Sequence, residues 1–190
     1  LLASTAHNTA LAESGPSAKF AGKTITNPHR DSSDDQPGLT TQEGVTGRSI
    51  NSGDIVGMYD TWIEFQRDND GDGYHQQFEV FFDIDSRYSN TRIYVTGQLD
   101  NGATTPLFRT DPFTINGATG SDTYSATVLL TEGYPSTDYA LTLRVYDAQT
   151  TALLLVHGPQ HDTALTQLFL EDATRDATAS PNIQLFEFAF

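Results

Sequence analysis

The stretch RDNDGDGYHQQFEVFF, residues 67–82, joins an acidic, glycine-containing turn to a segment in which apolar and polar residues alternate. Phe78, Val80 and Phe82 recur at every second position, and Ile84 continues the series. Because successive side chains of a β-strand point to opposite faces, this spacing predicts a strand with one face in the core. The other face carries acids and amides, and we expect it to be largely exposed to water.

The sequence after residue 60 continues with short segments of the same kind. Short runs of Val, Ile, Phe, Tyr, Thr and Leu are separated by Gly, Asn, Asp and Pro, which is typical of an all-β sandwich. We therefore predict an antiparallel β-sandwich domain, Ig-like or jelly-roll-like, over residues 56–190. Residues 163–172 also fit a short helix. The predicted strands cover residues 61–67, 74–84, 91–99, 106–115, 122–131, 138–146, 151–157, 164–170 and 182–190.

Residues 1–55 have a different composition, with few large apolar side chains scattered among Ser, Thr, Gly, Pro, Asn and Asp. Such a segment cannot bury enough apolar surface to offset the entropy that it loses on ordering. We predict that it forms an extended, low-complexity N-terminal arm outside the sandwich. A neighbouring subunit is the simplest structure that could hold this arm in place.

The composition excludes several classes of partner and chemistry. The 190 residues include 10 Lys and Arg against 25 Asp and Glu, a formal net charge of −15, which repels nucleic-acid phosphates and anionic lipid headgroups. No Cys is present, so neither disulfides nor thiolates contribute. No apolar run reaches the roughly 18 residues that a membrane-spanning helix needs. An acidic chain that begins at Leu1 fits a mature protein exported by a bacterium, and we expect a secreted, extracellular or cell-surface location.

The acidic turn has the spacing of a calcium-binding loop. Asp68, Asp70, Asp72 and Gly73 match positions 1, 3, 5 and 6 of the D-x-D-x-D-G pattern, and Glu79 falls at position 12. A helix after the loop would curl Glu79 back to the ion. A strand, which rises about 3.3 Å per residue, carries it roughly 20 Å away, so we exclude it as a ligand.

The remaining oxygens must come from elsewhere at the same end of the sandwich. We predict a structural calcium site held by Asp68, Asp70, Asp72 and the carbonyl of Tyr74, and completed by water or another loop. A bare hairpin turn is the alternative interpretation. Alternation of strand direction selects four further acids at this end: Asp100, Glu132, Asp138 and Asp162. The same counting places a second, solvated acidic cluster at the opposite end: Asp60, Asp83, Asp85, Asp147, Glu171 and Asp172.

Three segments carry a resemblance to a known family: DNDGDGYHQQFEVFFDID (68–85), GYPSTDYALTLRVYDAQTTALLL (133–155) and LFLEDATRD (168–176). They are similar to the choice-of-anchor H proteins, exported bacterial proteins with varied C-terminal anchoring signals. The resemblance covers about residues 60–176 and implies export and a surface or extracellular location, with no assigned activity. The matching acidic positions are Asp68, Asp70, Asp72, Asp83, Asp85, Glu171 and Asp172.

The C-terminal residues depart from that family pattern. In place of a linker, an apolar helix and a basic tail, the chain has ASPNIQLFEFAF at residues 179–190. Residues 182–190 fit one strand with Phe186, Phe188 and Phe190 on the same face, and these rings must be covered. The strand either completes its own sandwich or is donated to the sheet edge of a neighbouring subunit.

No catalytic signature accompanies these features, since a G-x-S-x-G elbow, a phosphate-binding loop and an H-E-x-x-H pair are all absent from the sequence. We therefore predict a non-enzymatic structural subunit that self-assembles into a homo-oligomer or filament through its arm or its C-terminal strand. The alternative is a calcium-stabilised carbohydrate-binding or adhesion module. A glycan would then stack on one of five aromatic side chains: Trp62, Tyr88, Tyr94, Tyr134 or Tyr139.

Overall fold

The computed structural model describes residues 15–30 and 54–176. These residues form two antiparallel sheets and two single-turn 3-10 helices, Gly120–Asp122 and Thr163–Leu165. No helix in these two ranges is both long enough and apolar enough to cross a membrane. The strands are β1 (Ser17–Ile25), β2 (Val56–Arg67), β3 (Gln77–Ser86), β4 (Thr91–Asp100), β5 (Thr104–Arg109), β6 (Phe113–Ile115), β7 (Thr123–Glu132), β8 (Thr137–Asp147), β9 (Leu153–His157) and β10 (Leu168–Leu170).

The two sheets pack face to face. The first has four strands in the order β1-β7-β3-β2. The second follows the path β10-β8-β4-β5, with β6 also paired to β4 and β9 also paired to β8. The prediction of an antiparallel β-sandwich is therefore confirmed. The single strand predicted over residues 106–115 is split into β5 and β6, which both pair with β4.

The core lies where the inner faces of the sheets meet. From β3, Phe78, Val80 and Phe82 are each no more than 1% exposed, as their period-two spacing predicts. From β8, Leu141 and Leu143 are fully buried in the same cluster. Burying a side chain of this size contributes about 1.5–3 kcal/mol relative to leaving it exposed. The alternation that defines the strands is thus also what holds the two sheets together.

The outer face of β3 is buried from Phe81 onward and half-buried at Gln77 and Glu79, so the expectation that it is largely exposed was wrong. Phe81, Asp83 and Asp85 are 7%, 0% and 8% exposed. Trp62 of β2 stacks on Phe81 with 4.6 Å between the ring centroids. Arg30, from the segment after β1, covers the two aspartates. The polar and apolar pattern of β3 cannot reveal this burial, because the residues that cover its outer face come from a distant part of the sequence.

Part of the predicted N-terminal arm belongs to the sandwich itself. β1 pairs antiparallel with β7 along its whole length and forms one edge of the first sheet. Phe20 of β1 stacks on Phe108 of β5 with 5.1 Å between the ring centroids, which ties the two sheets together at this side. The strand was missed because Phe20 is its one large aromatic residue among small and polar neighbours. The predictions for residues 1–14, 31–53 and 182–190 lie outside the described residues.

The chain after β8 returns along one edge of that strand. β9 pairs antiparallel with residues 143–146 of β8, and β10 pairs antiparallel with residues 137–139. Both strands therefore run in the same direction, and the segment predicted as a separate returning strand contains a 3-10 turn before β10. Since β10 ends beside the start of β8, Glu171 and Asp172 lie at the end of the sandwich that holds the acidic turn. Their predicted placement at the opposite end was wrong because the chain does not reverse between β9 and β10.

Candidate metal centre

The turn between β2 and β3 is held in shape by hydrogen bonds from its backbone to its own aspartates. Asp68 accepts from the amides of Gly71 and Gly73 at 2.7 and 3.1 Å. Asp70 and Asp72 each accept from the amide two residues later, at 3.1 and 2.8 Å. The two glycines have φ angles of +76° and +93°, which a residue without a Cβ adopts at little steric cost. The local sequence therefore folds three carboxylates into one compact turn.

The segment after β10 lies directly against this turn. His75 forms an isolated parallel bridge with Leu170. The His75 amide donates to the Phe169 carbonyl at 3.0 Å, and the Glu171 amide donates to the His75 carbonyl at 3.2 Å. This pairing fixes Glu171 beside the acidic turn although almost one hundred residues separate the two segments in the sequence.

Two groups of carboxylates result among the described residues. Asp70, Asp72 and Glu171 offer oxygens that all lie within 4.8 Å of one another, and Asp68, Asp70 and Asp176 do the same. Asp70 belongs to both groups, so the five carboxylates form one continuous cluster. We call this set of five residues the acidic cluster.

Asp176, which follows β10, holds the turn in place through hydrogen bonds. Its carboxylate accepts hydrogen bonds from the side-chain amides of Asn69 and Gln76 and from the backbone amides of Asn69 and Asp70. The residue is only 2% exposed. Because four N–H donors already compensate its charge, Asp176 positions the turn and has little capacity left for an ion.

Glu171 is in the opposite situation. It is 1% exposed, and its Oε2 accepts from the Ser136 hydroxyl at 2.6 Å. Its Oε1 is buried and has no hydrogen-bond partner. Burial raises the pKa of Glu171, and the neighbouring charges of Asp72, Asp70 and Asp176 raise it further although the Ser136 hydrogen bond lowers it. A buried carboxylate oxygen without a donor is energetically costly, and a cation would compensate it.

The donor set fits calcium. The acidic cluster contains carboxylates alone, which suit hard cations such as Ca²⁺ or Mg²⁺ rather than zinc or copper. Asp70 and Asp72 each keep one carboxylate oxygen that accepts no hydrogen bond from the described residues, and both residues belong to the same carboxylate group as Glu171. Calcium tolerates six to eight oxygens in an irregular shell, whereas magnesium demands nearly ideal octahedral geometry. An irregular cluster on a turn therefore favours calcium.

The structure brings three of the four predicted ligands together. Asp68, Asp70 and Asp72 lie in the acidic cluster. Tyr74 follows directly, and its amide donates to Asp72 at 2.8 Å. Ligation by the Tyr74 carbonyl stays a prediction. Glu79 belongs to neither carboxylate group. Its carboxylate accepts from Gln66 at 2.8 Å and from the hydroxyl of the buried Ser125 on the outer face of the first sheet.

Sequence reasoning missed Glu171 and Asp176 as members of the site. Both lie in the segment LFLEDATRD, whose three acids follow a strand of only three residues. The alternative acids selected by strand counting belong to neither carboxylate group: Asp100, Glu132, Asp138 and Asp162. Asp100 accepts from Gly102 within its own turn, and Asp162 caps the 3-10 helix through the Ala164 amide.

Two of the acids predicted to form a solvated cluster at the other end, Asp83 and Asp85, are buried instead, whereas Asp60 and Asp147 are half-buried. Arg30 donates to Asp85 at 2.7 Å and to Asp83 at 3.2 Å, and Asn27 donates to Asp83 at 2.8 Å. Asp122 is 7% exposed beside them and accepts from the Asn116 amide at 2.6 Å. Burial raises the pKa of Asp85 and of Asp122 to about 6. This network anchors the segment after β1 to β3.

The aromatic residues proposed as a sugar platform do not share one surface. Tyr134 and Tyr139 are core residues, 1% and 3% exposed. Trp62 is half-buried between Phe81 and the His29 ring. Tyr88 is 54% exposed on a loop, and Tyr94 stacks with Tyr146 on the outer face of the second sheet. Stacking of a glycan on the two core tyrosines is thereby excluded.

The chain matches no family model and no curated protein. Solved structures similar to it include the C-terminal domain of wzt, at 14% identity over 63% of this chain and 74% of that chain, with a TM-score of 0.38. A domain of the outer membrane lipoprotein Omp28 from Porphyromonas gingivalis has 15% identity over 61% of this chain and 94% of that chain, with a TM-score of 0.35. The cupredoxin domain of amoB from Nitrosocaldus yellowstonii has 13% identity over 55% and 84%, with a TM-score of 0.32. At these TM-scores the likenesses carry no argument about function.

Proposed function

We propose that this chain is a non-enzymatic structural module of the bacterial cell exterior whose sandwich is stabilised by a calcium ion bound at the acidic cluster. The observation that carries the proposal is the Glu171 carboxylate, whose buried Oε1 has no hydrogen-bond partner and which lies against Asp70 and Asp72. A carboxylate is placed there at considerable electrostatic cost unless a cation joins it.

The ion would link two distant parts of the chain. Asp70 and Asp72 belong to the first hairpin, whereas Glu171 belongs to the segment after β10. In the unfolded chain these groups are far apart, so calcium binds mainly to the folded state. Such binding stabilises the fold by RT ln(1 + [Ca²⁺]/Kd), about 4 kcal/mol when calcium is at a thousand times its dissociation constant. This is a structural role rather than a catalytic one.

Calorimetric titration of the chelator-treated protein with CaCl2, together with thermal unfolding with and without calcium, tests this role. We expect one saturable binding event and a higher Tm with calcium. MgCl2 at equal concentration serves as the control and should produce a much smaller rise. A Tm that does not respond to calcium contradicts the proposal.

Self-assembly is the second part of the proposal. It is supported by the three phenylalanines at alternate positions in residues 182–190, which require a covering surface. It is also supported by the two outer strands of the first sheet, β1 and β2, each of which pairs along one side only within residues 15–30 and 54–176. The resemblance to exported surface proteins supports the location outside the cell. We propose that the C-terminal segment adds to a sheet edge of a second copy, because backbone hydrogen bonds along an edge accept an extended segment.

Sedimentation velocity and electron microscopy of the full chain and of a chain ending at Asp176 separate these two parts. We expect oligomers or fibres from the full chain and a monomer from the shortened one. A full chain that is monomeric at all concentrations contradicts the assembly part alone, since calcium binding is measured independently. Equal assembly by both chains contradicts the role of the C-terminal segment.

A further inference from the structure

The middle of the outer face of the second sheet carries two arginines and no acid, while Asp100 of β4 and Asp138 of β8 lie on the same face toward one end. Residues 91–99, 104–109 and 139–146, from β4, β5 and β8, contain no Asp or Glu although the chain has 25 acidic residues. The side chains that alternate with the buried core residues of these strands point away from the core. We call the following outward-facing set the arginine face: Tyr94, Thr96, Gln98, Arg109, Arg144 and Tyr146.

The register of the strands places two arginines in one row. Thr96 lies opposite Arg109 of β5 on one side and opposite Arg144 of β8 on the other. Two neighbouring strands are about 4.8 Å apart, so the two arginines start on either side of Thr96 at roughly twice that spacing. A ligand on this row would therefore meet both guanidinium groups.

Neighbouring side chains hold both guanidinium groups in position. The guanidinium carbon of Arg109 lies 4.1 Å from the centroid of the Tyr94 ring. The Tyr94 ring in turn stacks on Tyr146, with 5.0 Å between centroids and 9° between planes. Arg144 donates from Nε to the Gln98 side chain at 3.1 Å. A guanidinium that is oriented in advance loses less entropy when it binds a ligand.

Neither arginine has a carboxylate partner. Within the described ranges 15–30 and 54–176, Arg109 and Arg144 take part in no ion pair. The terminal nitrogens of Arg144 and the guanidinium nitrogens of Arg109 also make no hydrogen bond there. In a chain of net charge −15, two cations without an acidic neighbour form a local site for an anion.

The face also has room for a ligand. A depression of about 340 Å³ lies along the Arg109 side of it and is lined by Thr96, Gln98, Pro106, Arg109 and Tyr146, among others, whereas Arg144 lies outside this lining, across Thr96. Sites for small ligands usually measure about 300–1,000 Å³, so this volume fits one or two sugar rings. Hydroxyl and amide groups beside the guanidiniums match the many hydroxyls of a sugar.

We infer that the arginine face binds a carboxylated sugar of an acidic polysaccharide, with Arg109 and Arg144 receiving its carboxylates. The planar fork of an arginine matches a carboxylate with two parallel N–H···O bonds. The net charge of the chain repels any polyanion, but nucleic acid is the poorer ligand because its phosphates recur about every 1.7 Å along a duplex and two cations cannot offset the repulsion of so dense a charge. The inference is independent of the calcium site and of self-assembly.

Isothermal titration with a glucuronate-containing tetrasaccharide tests the inference. The control ligand is the same tetrasaccharide with its carboxyl groups reduced to alcohols. We expect saturable binding of the carboxylated form, weakened by added salt, and at least tenfold weaker binding of the reduced form. Arg109→Gln and Arg144→Gln should each weaken binding at least tenfold. The matched control Lys23→Gln removes one exposed positive charge from β1 and should leave the affinity unchanged.

Three outcomes overturn the inference. The first is absence of binding at millimolar tetrasaccharide to a protein with an unchanged circular dichroism spectrum. The second is equal affinity of the two arginine variants and the parent chain. The third is binding to a protein partner, either a poly-glutamate peptide or, in sedimentation, a second copy of this chain. In this outcome Arg109→Gln abolishes that binding and the tetrasaccharide does not compete with it. That result would assign the face to a protein partner instead.

Discussion

Arg30 donates to Asp85 at 2.7 Å across 55 positions of the sequence, and this contact fastens the segment after β1 to the outer face of β3. The Arg30 side chain is 2% exposed and also contacts Asp83, which is fully buried. Its guanidinium carbon lies 4.0 Å from the centroid of the Tyr59 ring. One arginine therefore compensates two buried carboxylates and packs on an aromatic ring.

Replacement of this arginine should destabilise the protein severely. We expect Arg30→Met to lower the free energy of unfolding by about 3–5 kcal/mol, because Asp83 and Asp85 are left buried without their cation. Urea unfolding monitored by tryptophan fluorescence measures the loss. Arg92→Met, which removes an exposed arginine from β4, is the matched control and should change stability by less than about 0.5 kcal/mol. Similar stability of the two variants would show that the buried pair contributes little.

The second prediction concerns pH. Burial raises the pKa of Asp122 from 3.8 in the unfolded chain to about 6 in the folded protein. The folded state therefore binds this proton more tightly, and the contribution of Asp122 to stability falls as the pH rises from 3.8 to about 6. At about 1.4 kcal/mol per pH unit, the total is on the order of 2–3 kcal/mol.

Asp122→Asn isolates this effect because the amide keeps the acceptor for the Asn116 amide but does not ionise. We expect the variant and the parent chain to be similar in stability near pH 4. The variant should become the more stable of the two by pH 7. Urea unfolding in chelator at several pH values measures the difference, and a difference that is constant with pH contradicts the prediction.

The third prediction concerns the acidic cluster, where calcium should reverse the effect of Glu171→Gln on the Tm. In chelator, Glu171→Gln should raise the Tm, because it removes a buried charge that faces Asp70 and Asp72. In excess calcium, the same variant should have the lower Tm, because it loses a charged ligand and at least tenfold in calcium affinity, about 1.4 kcal/mol. Glu64→Gln, at an exposed position of β2, is the control and should follow the parent chain in both conditions. A Glu171→Gln variant that gains as much from calcium as the parent chain would remove this residue from the site.

The fourth prediction concerns packing between β4 and β5. A Cβ added at Gly97 would lie 2.4 Å from a ring carbon of Phe108. Phe108 cannot swing away freely, since it stacks on Phe20. We expect Gly97→Ala to cost about 1–3 kcal/mol, as overpacking does elsewhere. Gly15→Ala, where nothing lies within 4 Å, is the control, and equal unfolding midpoints for the two variants would contradict this account.

The sandwich itself was predictable because apolar residues recur at every second position in its central strands, and these residues are the ones that become buried. Phe78, Val80 and Phe82 show this pattern in β3, and the turn residues mark where such strands end. β1 was not predictable in the same way. Its one large aromatic residue, Phe20, touches a partner in β5 that lies 88 positions later. Edge strands are held by a few tertiary contacts, which a local pattern does not contain.

The acidic cluster was predictable only in its local half. The spacing of Asp68, Asp70 and Asp72 identifies a turn that can hold calcium, and the strand after it removes Glu79. The other half depends on the direction of two short strands on one edge of β8. Counting strands assumes that each one reverses the chain, and β9 and β10 break that assumption. The position of Glu171 is therefore a property of the topology rather than of its neighbours in sequence.

The path of β10 has a mechanical consequence. Tension on the chain beyond Asp176 acts on a strand of three residues, Leu168–Leu170, which on its own would peel from the sheet at low force. The load passes first through the carboxylate of Asp176 to Asn69 and Gln76. With calcium in place, the same load must also separate Glu171 from the first hairpin. The ion would then raise the force needed to detach the C-terminal segment from the sandwich, although its last strand has only three residues.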